Sequence, residues 1–156
     1  MSVTRTVSEG GSAFVQEALK KMDPAGKIEK MRPAVQERMR SLLFALAFHG
    51  FGKVGVLCTV RTELEQKALY GKGRTAAQCK EAGVPEEYAS PGAAIVTWSR
   101  PLESMHVHGC AMDIYCGNYQ RHEVGGWNEI ARSLGLTWGG TWKVDDWGHF
   151  ETMGGY

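Results

Sequence analysis

With 156 residues, 18 Lys and Arg against 17 Asp and Glu, 43% hydrophobic and 22% charged, the chain can bury the core of one domain and carries almost no net charge. Disorder, collagen-like repeats and coiled-coil composition are excluded. A near-neutral balance argues against a dedicated nucleic-acid surface, although the first forty residues hold eight Lys and Arg against five Asp and Glu.

In chain order, Ser12 to Met22 reads as a short amphipathic helix with Phe14, Val15 and Leu19 on one side, stopped by Asp23-Pro24. We take residues 1–30 as an N-terminal arm and 31–156 as the domain proper. The spacing of Val35, Met39, Leu42, Leu43 and Leu46 behind Pro33 predicts the main core helix, running to Gly50. Its longest apolar stretch, Leu42 to Phe48, falls far short of the roughly 20 residues of a membrane span. Val54 to Val60 is apolar in both alternating sets, as in a strand covered on both faces. Thr62-Glu63-Leu64-Glu65 is a capping box opening a helix that Gly71 and Gly73 end, which leaves Arg61 at a strand-to-helix junction. A helical turn at Ala76 to Ala82 and a long loop to Pro91 follow. Ala94 to Trp98, Cys110 to Cys116, Leu136 to Trp138 and His149 to Glu151 read as strands, and Trp127 to Leu134 as a helix. The fold class is α+β, a small antiparallel sheet flanked by helices. Many of the 20 glycines fall in pairs, Gly10-Gly11 and Gly139-Gly140 among them, which suggests tight turns near segment ends. The four cysteines lack paired spacing and are expected to be reduced, packed thiols.

Chemistry concentrates where His106, His108 and His149 fall on or beside predicted strands, close to Asp113 and Asp146. In the strand from Cys110, side chains alternate, so Ala111, Asp113 and Tyr115 share one face while Cys110, Met112, Ile114 and Cys116 take the other. A carboxylate among apolar neighbours needs a partner, because an unpaired buried charge is costly. A cation is the simplest one. Zinc on His106, Asp113 and His149 would use two nitrogens and one oxygen and leave the fourth tetrahedral position open for water. His108, two residues from His106, is the rival ligand, and otherwise an outward-facing histidine. His49 and His122 read as ordinary polar residues, and Asp145 as a turn residue.

Ser104-Met105-His106-Val107-His108-Gly109-Cys110-Ala111-Met112-Asp113 matches Ser-x-His-x-x-Gly-x-Ala-x-Asp at every fixed position. A second block is Gly135-Leu136-Thr137-Trp138-Gly139-Gly140-Thr141-Trp142-Lys143 with Asp146-Trp147-Gly148-His149-Phe150-Glu151, and a third is Arg61-Thr62 with Gln66, Leu69-Tyr70 and Gly73-Arg74-Thr75. Together they resemble the zinc-dependent peptidoglycan peptidases, the D-Ala-D-Ala carboxypeptidases and dipeptidases and the phage L-alanyl-D-glutamate endopeptidases. The resemblance implies the VanY-like, hedgehog and DD-peptidase-like zinc peptidase fold, with zinc on His106, Asp113 and His149. It also implies Asp146 as general base and Arg61 as a cation that binds substrate and transition state. Carboxypeptidase members usually carry Glu at the base position; Asp146 is what the phage enzymes have. Ser104 is expected to fix its loop or donate a hydrogen bond near the metal, and Gln66 belongs with Arg61 in the third block. Trp98, Trp138 and Trp142 either wall the substrate groove or belong to the core.

The expected function is that of a phage endolysin, a zinc endopeptidase hydrolysing the L-Ala-D-Glu bond of the peptidoglycan stem peptide. It would act as a monomer without nucleic-acid partners. The first thirty residues lack the apolar core of a secretory signal, so the expected location is the host bacterial cytoplasm until release to the periplasm and cell wall. The alternatives are a D,D- or L,D-carboxypeptidase trimming the stem peptide and a non-catalytic zinc-containing wall-binding module. A binding module has no reason to keep Asp146.

Overall fold

The computed structural model describes residues 4–49, 53–117 and 126–154, with side chains from residue 13 onward. His122 lies outside the described residues. Five helices, α1 (Thr4–Met22), α2 (Pro33–Phe48), α3 (Glu63–Gly71), α4 (Ala76–Glu81) and α5 (Trp127–Ser133), accompany four strands among these residues. The strands β1 (Val54–Cys58), β2 (Ala111–Cys116), β3 (Leu136–Trp138) and β4 (His149–Thr152) form one antiparallel sheet in the order β1-β2-β4-β3. This is the expected α+β architecture.

Helix α2 starts with Pro33 in its first turn, where a missing N–H costs nothing. It lays Val35, Met39, Leu42, Leu43 and Leu46 into the core, the last four with no exposed surface. The opposing sheet face carries Val54 and Val56 from β1, Met112 and Ile114 from β2, Leu136 and Trp138 from β3 and Phe150 from β4, and Trp127 and Ala131 of α5 complete the cluster. Each large apolar side chain so buried stabilises the fold by about 1.5–3 kcal/mol relative to exposure. The other face of β2 and β4 carries Asp113, His149 and Glu151, so the core holds the sheet rigid beneath them.

Three expectations are revised. Helix α1 begins at Thr4 and runs through Gly10-Gly11, so that pair marks no turn. Each helix-interior glycine costs about 1 kcal/mol relative to alanine, a cost this helix bears twice in succession. Met22 and Ile28, both ahead of residue 31, belong to the main core. Asp23 accepts hydrogen bonds from the backbone N–H groups of Lys27 and Ile28, and Lys27 ties this turn to β1 by donating from Nζ to the Leu57 carbonyl and accepting from Thr59 Oγ1. Finally, residues 94–98 pair with no strand. Side chains take up that segment's polar groups instead: Arg74 donates to the Thr97 carbonyl at 2.8 Å, and buried Gln66 donates to Thr97 Oγ1 and the Ser99 carbonyl. The apolar residues Ile95, Val96 and Trp98 are left exposed along a groove.

Candidate metal and catalytic site

Sheet register sets the centre of the site. Asp113 of β2 lies directly opposite His149 of β4 on one side and Cys58 of β1 on the other. Three neighbouring strands therefore present donor-bearing residues in one row. The pairing with Cys58 depends on a β-bulge: the register steps two residues along β1, from Val56 to Cys58, while stepping one along β2, from Ile114 to Asp113. Regular alternation would have left Cys58 facing the core with Val54 and Val56.

His106 arrives from the loop ahead of β2. That loop closes through Gly109, whose N–H donates to the His106 carbonyl and whose φ of +70° is a conformation that side-chain-bearing residues rarely adopt. Arg61 donates its backbone N–H to the His106 carbonyl at 3.1 Å, and His106 Nδ1 donates to the Thr59 carbonyl at 2.6 Å, so the loop is clasped to the end of β1. This leaves His106 Nε2 facing Asp113 Oδ1 at 3.1 Å. On the other side His149 Nε2 donates to Glu151 Oε2 at 2.9 Å, and Nδ1 faces the same Asp113 Oδ1 at 2.9 Å. Each imidazole thus has one nitrogen held by an acceptor outside the centre and the other aimed into it, the arrangement found around metal-binding histidines.

Charges reinforce the geometry. Burial is the largest single influence on His106 and opposes its charge, but hydrogen bonds to Asp113, Cys58 and Thr59 and the charge of Asp113 together raise the ring's pKa to about 9. Burial likewise opposes a charge on His149, and its bonds to Asp113 and Glu151 raise it all the same. Burial works against the Asp113 carboxylate too, yet the hydrogen bonds from both histidines hold it far below the usual carboxylate range. Hydrogen bonding with His106 lowers the Cys58 thiol. Among the described residues two groups bring ligand atoms within 4.8 Å of one another, Cys58 with His106 and Asp113, and Asp113 with Asp146 and His149. Asp113 belongs to both. Mixed nitrogen, oxygen and sulfur donors of this kind suit zinc.

Arg61 reaches the same carboxylate. Its guanidinium donates to Gln66 Oε1 at 2.6 Å and lies 3.7 Å from Asp113 Oδ2 and 3.7 Å from Cys58 Sγ. The capping box at Thr62 and Glu65 starts α3 immediately behind it, and α3 carries the fully buried Gln66 that braces it. Asp146 sits exposed at the groove's edge, its N–H donating to the Gly139 carbonyl and its own carbonyl accepting from His149 N–H. A Cβ on Gly139 would come within 2.6 Å of that Asp146 carbonyl and 3.2 Å of the His149 Cβ, so glycine is what lets the loop close here. Desolvation raises the Asp146 carboxyl, opposed by His149, while the charge of Asp113 adds to the rise.

The remaining candidates separate. Trp98 and Trp142 line the groove of about 620 Å³ that also holds Arg61, His106, Asp113, Asp146 and His149, and the Trp142 ring lies 5.0 Å from that of His149. Trp138 does not wall the groove: it is 4% exposed in the main core, packed against Trp127, Trp147 and Phe150, because its place on β3 puts it on the core face. Ser104 is buried at the groove, and its carbonyl accepts from Val107 and His108, which shapes the His106 loop. His108 Nε2 bonds to the Leu102 carbonyl, outside both donor groups. Asp145 accepts from Trp147 Nε1. Arg74, 6% exposed, stacks on Tyr70 and anchors the groove wall at Thr97. Sequence reasoning missed Cys58 and Glu151. The two-residue spacing of His149 and Glu151 on one strand was a signal for the second; nothing in the sequence marked the bulge that turns the first.

No protein-family model and no curated protein matches the chain. Solved structures that share its fold include two peptidases. One is the L-Ala D-Glu endopeptidase ChiX of Serratia marcescens, with a TM-score of 0.52 and 18% identity over 86% of this chain and 87% of that one. The other is a zinc-bound mutant of the vancomycin-resistance D,D-pentapeptidase VanY, with a TM-score of 0.51 and 16% identity over 80% of this chain and 73% of that one.

Proposed function

We propose that the chain is a zinc-dependent peptidoglycan hydrolase of the endolysin type that cuts the L-Ala-D-Glu bond of the stem peptide. The observation that carries this reading is the convergence of His106, Asp113 and His149 beside Arg61 and Asp146 in a single groove, on a fold shared with an L-Ala D-Glu endopeptidase. The donor set fits zinc: an imidazole nitrogen of His106 and one of His149 each face the same Asp113 oxygen, at 3.1 and 2.9 Å, with Asp113 shared by the two donor groups, and each ring is steadied from behind by Thr59 or Glu151. When bound, zinc polarises a carbonyl and lowers the pKa of a water to about 7.

The chain's own residues supply the rest. Asp146, at the groove's edge with its carboxyl pushed upward, accepts the proton of the attacking water and passes it to the leaving amine. Arg61, held by Gln66, presents a fixed cation that offsets charge developing on the scissile carbonyl's oxygen. Trp98 and Trp142 flank the groove and keep the peptide over the reacting groups. In this reading the enzyme waits in the host bacterial cytoplasm and meets the wall after the membrane opens. Asp rather than Glu at position 146 supports the endopeptidase branch.

The test is release of dye-labelled peptides from purified sacculi by native, chelator-treated and zinc-restored protein, with Asp146→Asn alongside. Zinc restoration is expected to recover release, and Asp146→Asn to keep one zinc per chain while losing about 10²–10⁴ in rate. An Asp146→Asn protein of full activity would remove the base assignment. Zinc-loaded native protein that releases nothing would remove the endopeptidase reading.

A further inference from the structure

Cys58 has no part in the reaction described above, yet the fold goes out of its way to bring it to the site. Three of the four cysteines are buried, Cys79 in the small cluster with Tyr70 and Val84, and Cys110 and Cys116 in the main core. Cys58 alone is partly accessible, and the bulge in β1 sets it opposite Asp113. Its sulfur lies within 4.8 Å of ligand atoms of both His106 and Asp113, and 3.7 Å from the Arg61 guanidinium. His106 Nδ1 is committed to the Thr59 carbonyl, so the nitrogen left for an ion is Nε2, the one facing Asp113. Cys58, His106 and Asp113 thus form a three-donor group that shares only Asp113 with the group on the Asp146 side of the site.

We propose that Cys58 is a thiolate ligand of the divalent ion in the resting protein, occupying a coordination position that the reaction needs open. This rests on the metal-site reading above and deepens it. Coordination replaces the S–H bond with a sulfur–metal bond, and the thiol proton leaves to solvent. Four-donor sites that include thiolate are closed sites, whereas catalytic ones keep a position for water. A site closed by Cys58 is therefore stored with its ion protected, and turnover requires the thiolate to leave.

The test uses full-length protein loaded with cobalt(II) and read by absorption, with metal content measured separately. We expect one cobalt per chain and a near-ultraviolet thiolate-to-cobalt charge-transfer band, lost in Cys58→Ser while that variant still binds one cobalt. One cobalt per chain without the band would overturn the proposal and leave the metal site standing. A band that persists in Cys58→Ser would overturn it in favour of another cysteine. Absence of bound cobalt would overturn both the proposal and the metal site. A second readout needs no variant: iodoacetamide labelling of Cys58, mapped by peptide mass spectrometry, is expected to be lost on zinc loading and restored by chelator. Labelling indifferent to zinc would overturn the proposal.

Discussion

Asp113 is the residue on which the site's electrostatics turn, because one of its oxygens faces both His106 and His149 at about hydrogen-bond distance. In the metal-free protein those rings hold protons more tightly than free histidine does, His106 up to about 9. Metal ligands must be deprotonated, so at neutral pH zinc binding has to expel protons. Apparent zinc affinity should rise with pH between about pH 6 and 8, by roughly tenfold per unit for each proton displaced. Calorimetry in buffers of different ionisation enthalpy measures this directly, and binding at pH 7 that releases no proton would contradict the account. Glu151 acts through His149. Glu151→Gln keeps an acceptor but removes the charge, and should weaken zinc binding by about 10–100-fold in chelator competition. Unchanged affinity would show that His149 needs no such support.

At the scale of elements, the site depends on loops closing against strand ends. The Trp138-Gly139-Gly140 turn shows this most sharply, since Asp146 and His149 both crowd the place where a Gly139 side chain would stand. Gly139→Ala should cost about 1–3 kcal/mol, as overpacking does, and should lower hydrolysis more than zinc content because it displaces Asp146 before the ligands. Thermal melting and metal analysis of the variant separate the two effects. Elements of this kind were unevenly legible. The capping box at Thr62, the proline start of α2 and the alternation of β2 are local signals, and each appears where the sequence placed it. The bulge at Cys58 is not local: it reflects pairing between β1 and β2, about fifty residues apart in sequence, and strict alternation pointed the thiol the wrong way. Residues 94–98 look like a strand because Ile95, Val96 and Trp98 have strand-like composition, but Arg74 takes the Thr97 carbonyl while Gln66 holds the Thr97 hydroxyl and the neighbouring Ser99 carbonyl, which keeps them at the groove. Trp138 was ambiguous for a related reason, as only the sheet's assembled faces decide whether an aromatic on a short strand meets core or groove.

Across the whole molecule, one apolar layer of α2, α5 and the sheet supports one polar face, and the segment ahead of residue 31 is tied into that layer. Ile28 is 2% exposed in the main core, and the Asp23 turn is bonded across to β1. Ile28→Ala should therefore cost about 2–5 kcal/mol of stability by denaturant unfolding. A change within about 0.5 kcal/mol would mean that this segment is a dispensable arm. The core helix followed from its hydrophobic period behind Pro33, while the sheet order became visible only in the assembled fold; the bond to be cut does not follow from the fold, which an L-Ala D-Glu endopeptidase and a D,D-pentapeptidase share. The most direct measurement is mass spectrometry of the fragments that zinc-loaded protein releases from purified peptidoglycan, beside chelator-treated and zinc-restored samples. The account predicts new L-alanine carboxyl and D-glutamate amino ends that vanish with chelator and return with zinc. Release of terminal D-alanine instead, or intact peptidoglycan in the presence of fully zinc-loaded protein, would contradict it.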